Sequence, residues 1–342
     1  MSLVTNEPNC RPTVKRSGPS WQQAIKRAVR DRGELLRQLG LPAQSTALAQ
    51  AAEDQFPLFV PQEWIDRIRP GDPHDPLLRQ ILPLDAETQP FRGFTADPVD
   101  DQTAALAPGL LRKYHGRALI VTTGTCAVHC RYCFRRHFPY EALSPPAVTW
   151  DQAIEWIAAE PDIQEVLLSG GDPLMLVDAS LANLAQRLAR IPHVRRLRVH
   201  SRLPIVIPQR VDDRLISWLS GLRLTTIMVV HANHPAEIDV RVAAALERLV
   251  KAGVPVLNQA VLLRGVNDRA EVLIELCERL INLGVIPYYL HQLDRVAGAA
   301  HFEVPIERGR EIIAQLRSRL PGYAVPRYVH ERPGAPSKTV LA

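Results

Sequence analysis

No stretch of this 342-residue chain is apolar for long enough to span a bilayer, and Met1 to Gly18 lack the apolar core of a secretory leader. A block of basic residues is missing too. The net charge is only +5, and the densest cluster, Arg190 to Arg202, alternates with Leu197 and Val199 as the polar side of a strand would. No direct nucleic-acid contact and no membrane partner are therefore expected. Cysteine is scarce, and its count of five is odd, which excludes a disulfide framework and fits the reducing cytoplasm. Cys10 and Cys277 stand alone, the latter within a helical pattern as a small hydrophobe. With 46% apolar residues the chain can fill one large core or two ordinary ones.

The other three cysteines fall within eight positions: Cys126-Ala127-Val128-His129-Cys130-Arg131-Tyr132-Cys133, shortly after the apolar run Ala118-Leu119-Ile120-Val121. The spacing is C-x3-C-x2-C, with no fourth cysteine nearby. A cubane iron–sulfur cluster normally takes four thiolates, so three leave one iron open to a ligand that is not protein. On spacing alone a closed zinc site with His129 or His137 as fourth ligand remains open. So does a set of buried thiols.

From Ala118 onward short β-type runs alternate with helical patterns. The runs are 118–123, 165–168, 197–200, 225–231, 254–263 and 285–291. Such alternation predicts right-handed βαβ units and a parallel sheet, here an α/β partial (β/α)6 barrel. Residues 1–19 read as a flexible head, 20–109 as an N-terminal helical region, and 110–342 as the barrel with a C-terminal segment. Ser20 and Gln23 form a capping-box pattern that opens a helix carrying Trp21, Ile25, Val29, Leu35, Leu36 and Leu39 up to Gly40. Polar groups follow the strands: the cysteine loop, Ser169-Gly170-Gly171-Asp172-Pro173, His200-Ser201-Arg202, His231-Ala232-Asn233-His234 and His291-Gln292-Leu293-Asp294, with Asn258-Gln259 inside the fifth run. In parallel barrels this rim carries the chemistry.

The pattern C-x3-C-x-aromatic-C resembles the signature of the radical S-adenosylmethionine enzymes. Arg135-Arg136, the Leu167–Asp172 run, Ser201-Arg202-Leu203-Pro204, Pro208-Gln209-Arg210, Asn258–Asp268 and the closing Pro333-Gly334…Lys338-Thr339-Val340 narrow the resemblance to lysine 2,3-aminomutases, from about Leu110 to the C-terminus. That resemblance implies three cofactors: a [4Fe-4S] cluster on Cys126, Cys130 and Cys133, S-adenosylmethionine, and pyridoxal 5′-phosphate on Lys338. It places Gly170 and Gly171 at S-adenosylmethionine, with Asp172 either part of that site or a cap of the next helix, and Tyr114, Arg117, Arg202 and Gln259 among the cofactor contacts, with Arg202 as a candidate for the phosphate. Arg135 would hold the substrate α-carboxylate, and Asp294 and Glu331 the ε-ammonium. The implied activity is conversion of (S)-α-lysine to (R)-β-lysine, with flavodoxin or ferredoxin as reductant.

Some features depart from the free-lysine enzymes. Arg269 stands where a zinc-binding cysteine is expected, and the glycine run before the lysine is reduced to Pro333-Gly334-Ala335-Pro336-Ser337. These features resemble the short bacterial branch, which makes β-lysine for translation elongation factor P and its β-lysine ligase. A glutamate 2,3-aminomutase is the rival within the enzyme class. A zinc-stabilised module that binds a translation factor is the rival outside it.

Overall fold

The computed structural model describes residues 20–42, 50–143 and 150–342. The segment read as a flexible head, with Cys10, lies outside the described residues. Ten strands form one sheet in chain order: β1 (Ala105–Ala107), β2 (Leu110–Leu111), β3 (Arg117–Thr123), β4 (Glu165–Gly170), β5 (Arg196–Ser201), β6 (Thr225–His231), β7 (Val256–Val261), β8 (Ile286–His291), β9 (Arg327–His330) and β10 (Thr339–Val340). Neighbours from β3 to β9 pair in parallel, each joined to the next by a helical crossover. The pairs β1–β2, β2–β3 and β9–β10 are antiparallel. The six strands expected from sequence are β3 to β8. The parallel strand β9 went unseen because Arg327-Tyr328-Val329-His330 is short and mixed in polarity, too brief for a period to register.

The crossover helices form for local reasons. In Val240–Lys251, Asp239 caps the start by accepting from the Val242 N–H at 2.8 Å. Val242, Ala245, Leu246 and Leu249 then repeat at helical spacing and are buried, while Arg241, Glu247 and Lys251 carry the polar face and ion pairs. Along the strands the period is two, so alternate residues face opposite layers. On β4, Val166 and Leu168 are fully buried against the helices, whereas Leu167 and Ser169 line the interior cavity. The same alternation turns Arg198 and His200 of β5, Gln259 and Val261 of β7, and Tyr289 and His291 of β8 inward. The interior of this sheet thus sets charged and polar side chains among apolar ones, which a packed barrel core would not do.

The N-terminal helices share the apolar core of the sheet: Trp64, Leu77, Leu78 and Ile81 cluster with Ile120, Val199 and Met228. The expected single helix after Ser20 is two helices, Trp21–Lys26 and Arg32–Gln38. Its capping box is present, but β-branched Val29 leaves the helix to pair with Val60, and Asp31 starts the second helix by accepting from the Glu34 N–H at 2.7 Å. Nor is the region helical throughout, since β1 lies within 20–109.

Helix Ile306–Arg319 reaches β9 through Gly309. A Cβ there would lie 2.3 Å from the Tyr328 ring. Tyr328 is fully buried and its hydroxyl donates to Gln292. Gly309→Ala is therefore expected to lower stability by about 1–3 kcal/mol through overpacking. Urea unfolding followed by circular dichroism measures this, and an unchanged midpoint would contradict it.

Candidate active site

The cysteine loop follows β3 and is held from outside by the N-terminal region. His129 donates its backbone N–H to Phe59 O at 3.0 Å, and Arg131 donates its own to Gln80 O at 2.9 Å. The Arg131 side chain, completely buried, bonds both oxygens of Glu87 and the carbonyls of Phe56 and Ala52. Arg136 reaches the same carboxylate at 2.7 Å. From inside, the loop meets the end of β4. Gly171 donates to Thr123 O at 2.7 Å and Asp172 to Thr125 O at 2.8 Å. A Cβ at Gly171 would lie 2.3 Å from Thr125 O, and Gly170, at φ +115°, would bring one to 2.7 Å from Thr123 O. In this structure, the close approach that the two glycines permit is to the backbone of the cysteine loop.

All three thiols line one cavity of about 480 Å³. Burial pushes the Cys133 thiol up to about 11 and that of Cys126 well above its ordinary value, so binding a metal centre there must release protons. Cys130 Sγ accepts from Arg202 Nη1 at 2.6 Å. The closed zinc reading loses its fourth ligand. The His129 ring stacks on Phe56 and bonds Pro57 O, and His137 bonds Ala297 O. Among the described residues no group of three or more His, Cys, Asp or Glu is arranged to hold a single metal ion.

Arg202 is used differently from the expectation, and Asp172 takes the helix-capping role that was its other reading. Arg202 offers no free fork to a phosphate. Its terminal nitrogens go to Cys130, to Gln80 at 2.7 Å and to Glu237 at 3.2 Å, and its guanidinium lies 4.7 Å from the centre of the Trp64 ring. Asp172 accepts from Ser201 Oγ and from the N–H groups of Leu174, Arg202 and Leu203, so its oxygens tie the end of β4 to the end of β5.

The cavity also gathers Tyr114, Arg117, Arg135, Gln259, Asp294, Glu331 and Lys338. Lys338 Nζ is ion-paired with Glu331, which also accepts from the Tyr114 hydroxyl at 2.5 Å. The Arg117 guanidinium stands 5.1 Å from the Tyr114 ring centre. Burial raises Glu331, but Lys338, the Tyr114 hydroxyl and Lys113 together outweigh it and hold this carboxyl below the usual range. Asp294 is opposite: burial drives it up to about 7, and its Oδ1 has no hydrogen-bond partner among the described residues. His200 and His291 are pushed well down by burial, and His231 to about 3, so all three imidazoles are neutral. Buried acceptors and donors left open, Asp294 Oδ1 and His200 Nε2 among them, are the mark of a cavity built for a polar ligand. The lining fits the implied groups: three thiols for a cluster, and a lysine beside Tyr114 and Arg117 for an aldehyde cofactor bearing a phosphate.

Sequence reasoning missed Asp101 and Lys113, which also line the cavity, and Gln80 and Glu237 behind Arg202. Asp101 and Gln80 lie in aperiodic stretches and carry no motif. Glu237 follows the noted His231–His234 group, and only the fold shows that it turns inward.

Residues 120–277 match the family model of the Radical SAM superfamily. Over 342 residues, all of both chains, the sequence is 44% identical to an L-lysine 2,3-aminomutase of Haemophilus influenzae. The chain belongs to the L-lysine 2,3-aminomutase family. It is also 46% identical to the Escherichia coli protein of that name, over 95% of each chain, and 35% identical to the Clostridium subterminale one, over 93% of this chain and 77% of the other. The protein is thus an isomerase of the radical type, and membership of the Radical SAM superfamily implies a [4Fe-4S] cluster and S-adenosylmethionine. No helix among the described residues is long and apolar enough to cross a membrane.

Two outcomes are expected of this site. Replacing Cys126, Cys130 and Cys133 together by Ala should remove iron and broad visible absorbance from anaerobically purified protein, while His129→Ala keeps iron. Iron retained in the triple variant would defeat the assignment. Asp294 holds its proton to about pH 7 when folded but releases it near 3.8 when unfolded. The folded state therefore binds more protons between those values, and this group lowers stability as pH rises through that window. Asp294→Asn should raise the melting temperature at pH 8 and change it little at pH 4.

Proposed function

We propose that the enzyme converts (S)-α-lysine to (R)-β-lysine with the aid of pyridoxal 5′-phosphate held on Lys338. The observation that carries this reading is the pair of acids, buried Glu331 and partly buried Asp294, in the cavity that also holds Lys338 and the three thiols. When bound, the cluster and S-adenosylmethionine supply a 5′-deoxyadenosyl radical, and the pyridoxal ring supplies the π-system for an amino shift from Cα to Cβ. Cys126, Cys130 and Cys133 are the ligands we assign to the cluster. Gly170, Gly171 and Asp172 shape the S-adenosylmethionine site beside them, with Gln259 on the cavity wall. Tyr114 and Arg117 serve the pyridoxal phosphate, a guanidinium suiting its anionic end.

The chain's own side chains select the substrate. Arg135 takes the α-carboxylate, and Asp294 and Glu331 take the ε-ammonium. An ammonium loses hydration on entering, and an unpaired buried charge is costly. One carboxylate about 4 Å away offers roughly 4 kcal/mol of gross attraction at an effective dielectric near 20. The sign reverses for a glutamate side chain, which disfavours a glutamate aminomutase. Glu331 is paired with Lys338 in the protein without cofactor, and once Lys338 holds the aldehyde cofactor that carboxylate is left for an arriving ammonium.

Delivery of β-lysine to translation elongation factor P is the physiological role we favour. Its support is Arg269 in place of a zinc cysteine, the reduced glycine run before Lys338, and a match to the Haemophilus protein over the whole of both chains. The reductant is of the flavodoxin or ferredoxin class, and the working compartment is the cytoplasm.

The deciding experiment is anaerobic incubation with lysine, S-adenosylmethionine, pyridoxal phosphate and dithionite, followed by chiral analysis. (R)-β-lysine is expected, and turnover of glutamate in preference to lysine would overturn the proposal. Borohydride trapping and peptide mapping should find the pyridoxyl group on Lys338. Because Asp294 is protonated below pH 7 in the free enzyme, the KM for lysine should rise up to tenfold per pH unit below that point, and Asp294→Asn should flatten this dependence.

A further inference from the structure

Arg135 does not stand free in the cavity. Its Nε donates to Asp101 Oδ2 at 2.7 Å and its Nη1 to Ser169 Oγ at 3.2 Å, while its guanidinium lies 4.8 Å from the Phe134 ring centre and 5.7 Å from that of Phe138. Among the described residues Nη2 has no hydrogen-bond partner. Asp101 is only 1% exposed, and its other oxygen meets Lys113 Nζ at 2.7 Å. Lys113 in turn bonds Val99 O at 2.6 Å and stands 4.0 Å from Glu331 Oε1. Glu331 pairs with Lys338. Five charges of alternating sign, Arg135, Asp101, Lys113, Glu331 and Lys338, therefore run along one wall.

The segment that delivers Asp101 is itself specialised. Asp100 has φ +56°, a left-handed conformation that few residues other than glycine adopt, and Asp97 accepts from the N–H groups of Asp101 and Gln102 at 3.0 Å each. Burial raises the Asp101 carboxyl, but Arg135 and Lys113 outweigh it and keep it ionised.

We propose that Asp101, braced by Lys113, is a positioning residue for Arg135 and sets where a ligand carboxylate is held relative to the acids that hold its ammonium. The inference rests on the assignment of Arg135 to the α-carboxylate given above. Its physical basis is twofold. A guanidinium fixed at Nε and Nη1 presents its remaining edge in one orientation, so less side-chain entropy is lost when an anion binds. An Arg–Asp pair alone is neutral and would attract an anion poorly. Lys113 makes the trio cationic again, so the carboxylate still meets an excess of positive charge. Lysine and its analogue without the carboxylate, 1,5-diaminopentane, separate these effects, because only lysine can use Arg135.

The test is spectral titration of pyridoxal phosphate-loaded protein with each amine. Wild type is expected to bind lysine at least tenfold more tightly than 1,5-diaminopentane. Asp101→Asn should weaken lysine tenfold or more and leave 1,5-diaminopentane within twofold, with the KM for lysine rising far more than kcat falls. Lys113→Met serves as a second variant at a partly exposed position, in case the buried substitution fails to fold. It should also weaken lysine selectively, by threefold or more. Equal weakening of both amines in the variants would mean that Asp101 is merely structural and would overturn the inference. A wild type with no preference for lysine would overturn the Arg135 assignment itself, and this inference with it.

Discussion

One buried carboxylate holds the cysteine loop to the rest of the molecule. Glu87 meets Arg131 and Arg136, on either side of Cys133, and all three side chains are almost wholly withdrawn from solvent. Such a cluster is not evidence of high stability, because removing these charges from water offsets much of their attraction. What it provides is position. Removing the carboxylate would leave two buried guanidiniums without their counter-charge, so the loop cannot drift away from the N-terminal helices without a large electrostatic cost. The same logic recurs on the inner side, where Arg202 meets Cys130 and is itself pinned by Gln80, Glu237 and the Asp172 carboxylate that accepts its backbone N–H.

The two faces of the sheet follow from this division of labour. The outer face is a conventional apolar layer against six amphipathic crossovers. The inner face carries arginines, histidines and acids whose polar atoms are only partly satisfied by each other. That arrangement is unfavourable for an empty interior and favourable for one that receives charged ligands. It also explains why neutral imidazoles and a protonated Asp294 coexist with ionised Glu331 and Asp101 in one cavity. Burial acts on all of them, and only those with a cation at contact distance keep their charge.

The sequence made much of this legible where a period or a motif existed. Strand–helix alternation located β3 to β8, and the spacing of Cys126, Cys130 and Cys133 identified the loop that the cavity was found to contain. Strand β9 was missed because four residues are too few for a pattern. The break at Val29 was missed because its partner, Val60, is distant in sequence. Arg202 was drawn toward a phosphate by its residue type, whereas only the fold shows Cys130 within bonding distance. Asp101 left no trace at all, since a buried carboxylate between two cations looks like any surface aspartate until the chain is folded.

Strand order along the sheet equals strand order along the chain. Each parallel strand can therefore dock on its predecessor as soon as one crossover is complete, without waiting for a distant partner, and the architecture suits growth from one edge during synthesis. Lys338 enters with the final pair, β9 and β10, where Thr339 lies opposite His330. The cysteine loop is thus in place well before the residue that completes the cavity wall arrives. A chain interrupted between β4 and Lys338 would therefore hold the cysteine loop without the lysine that lines the same cavity.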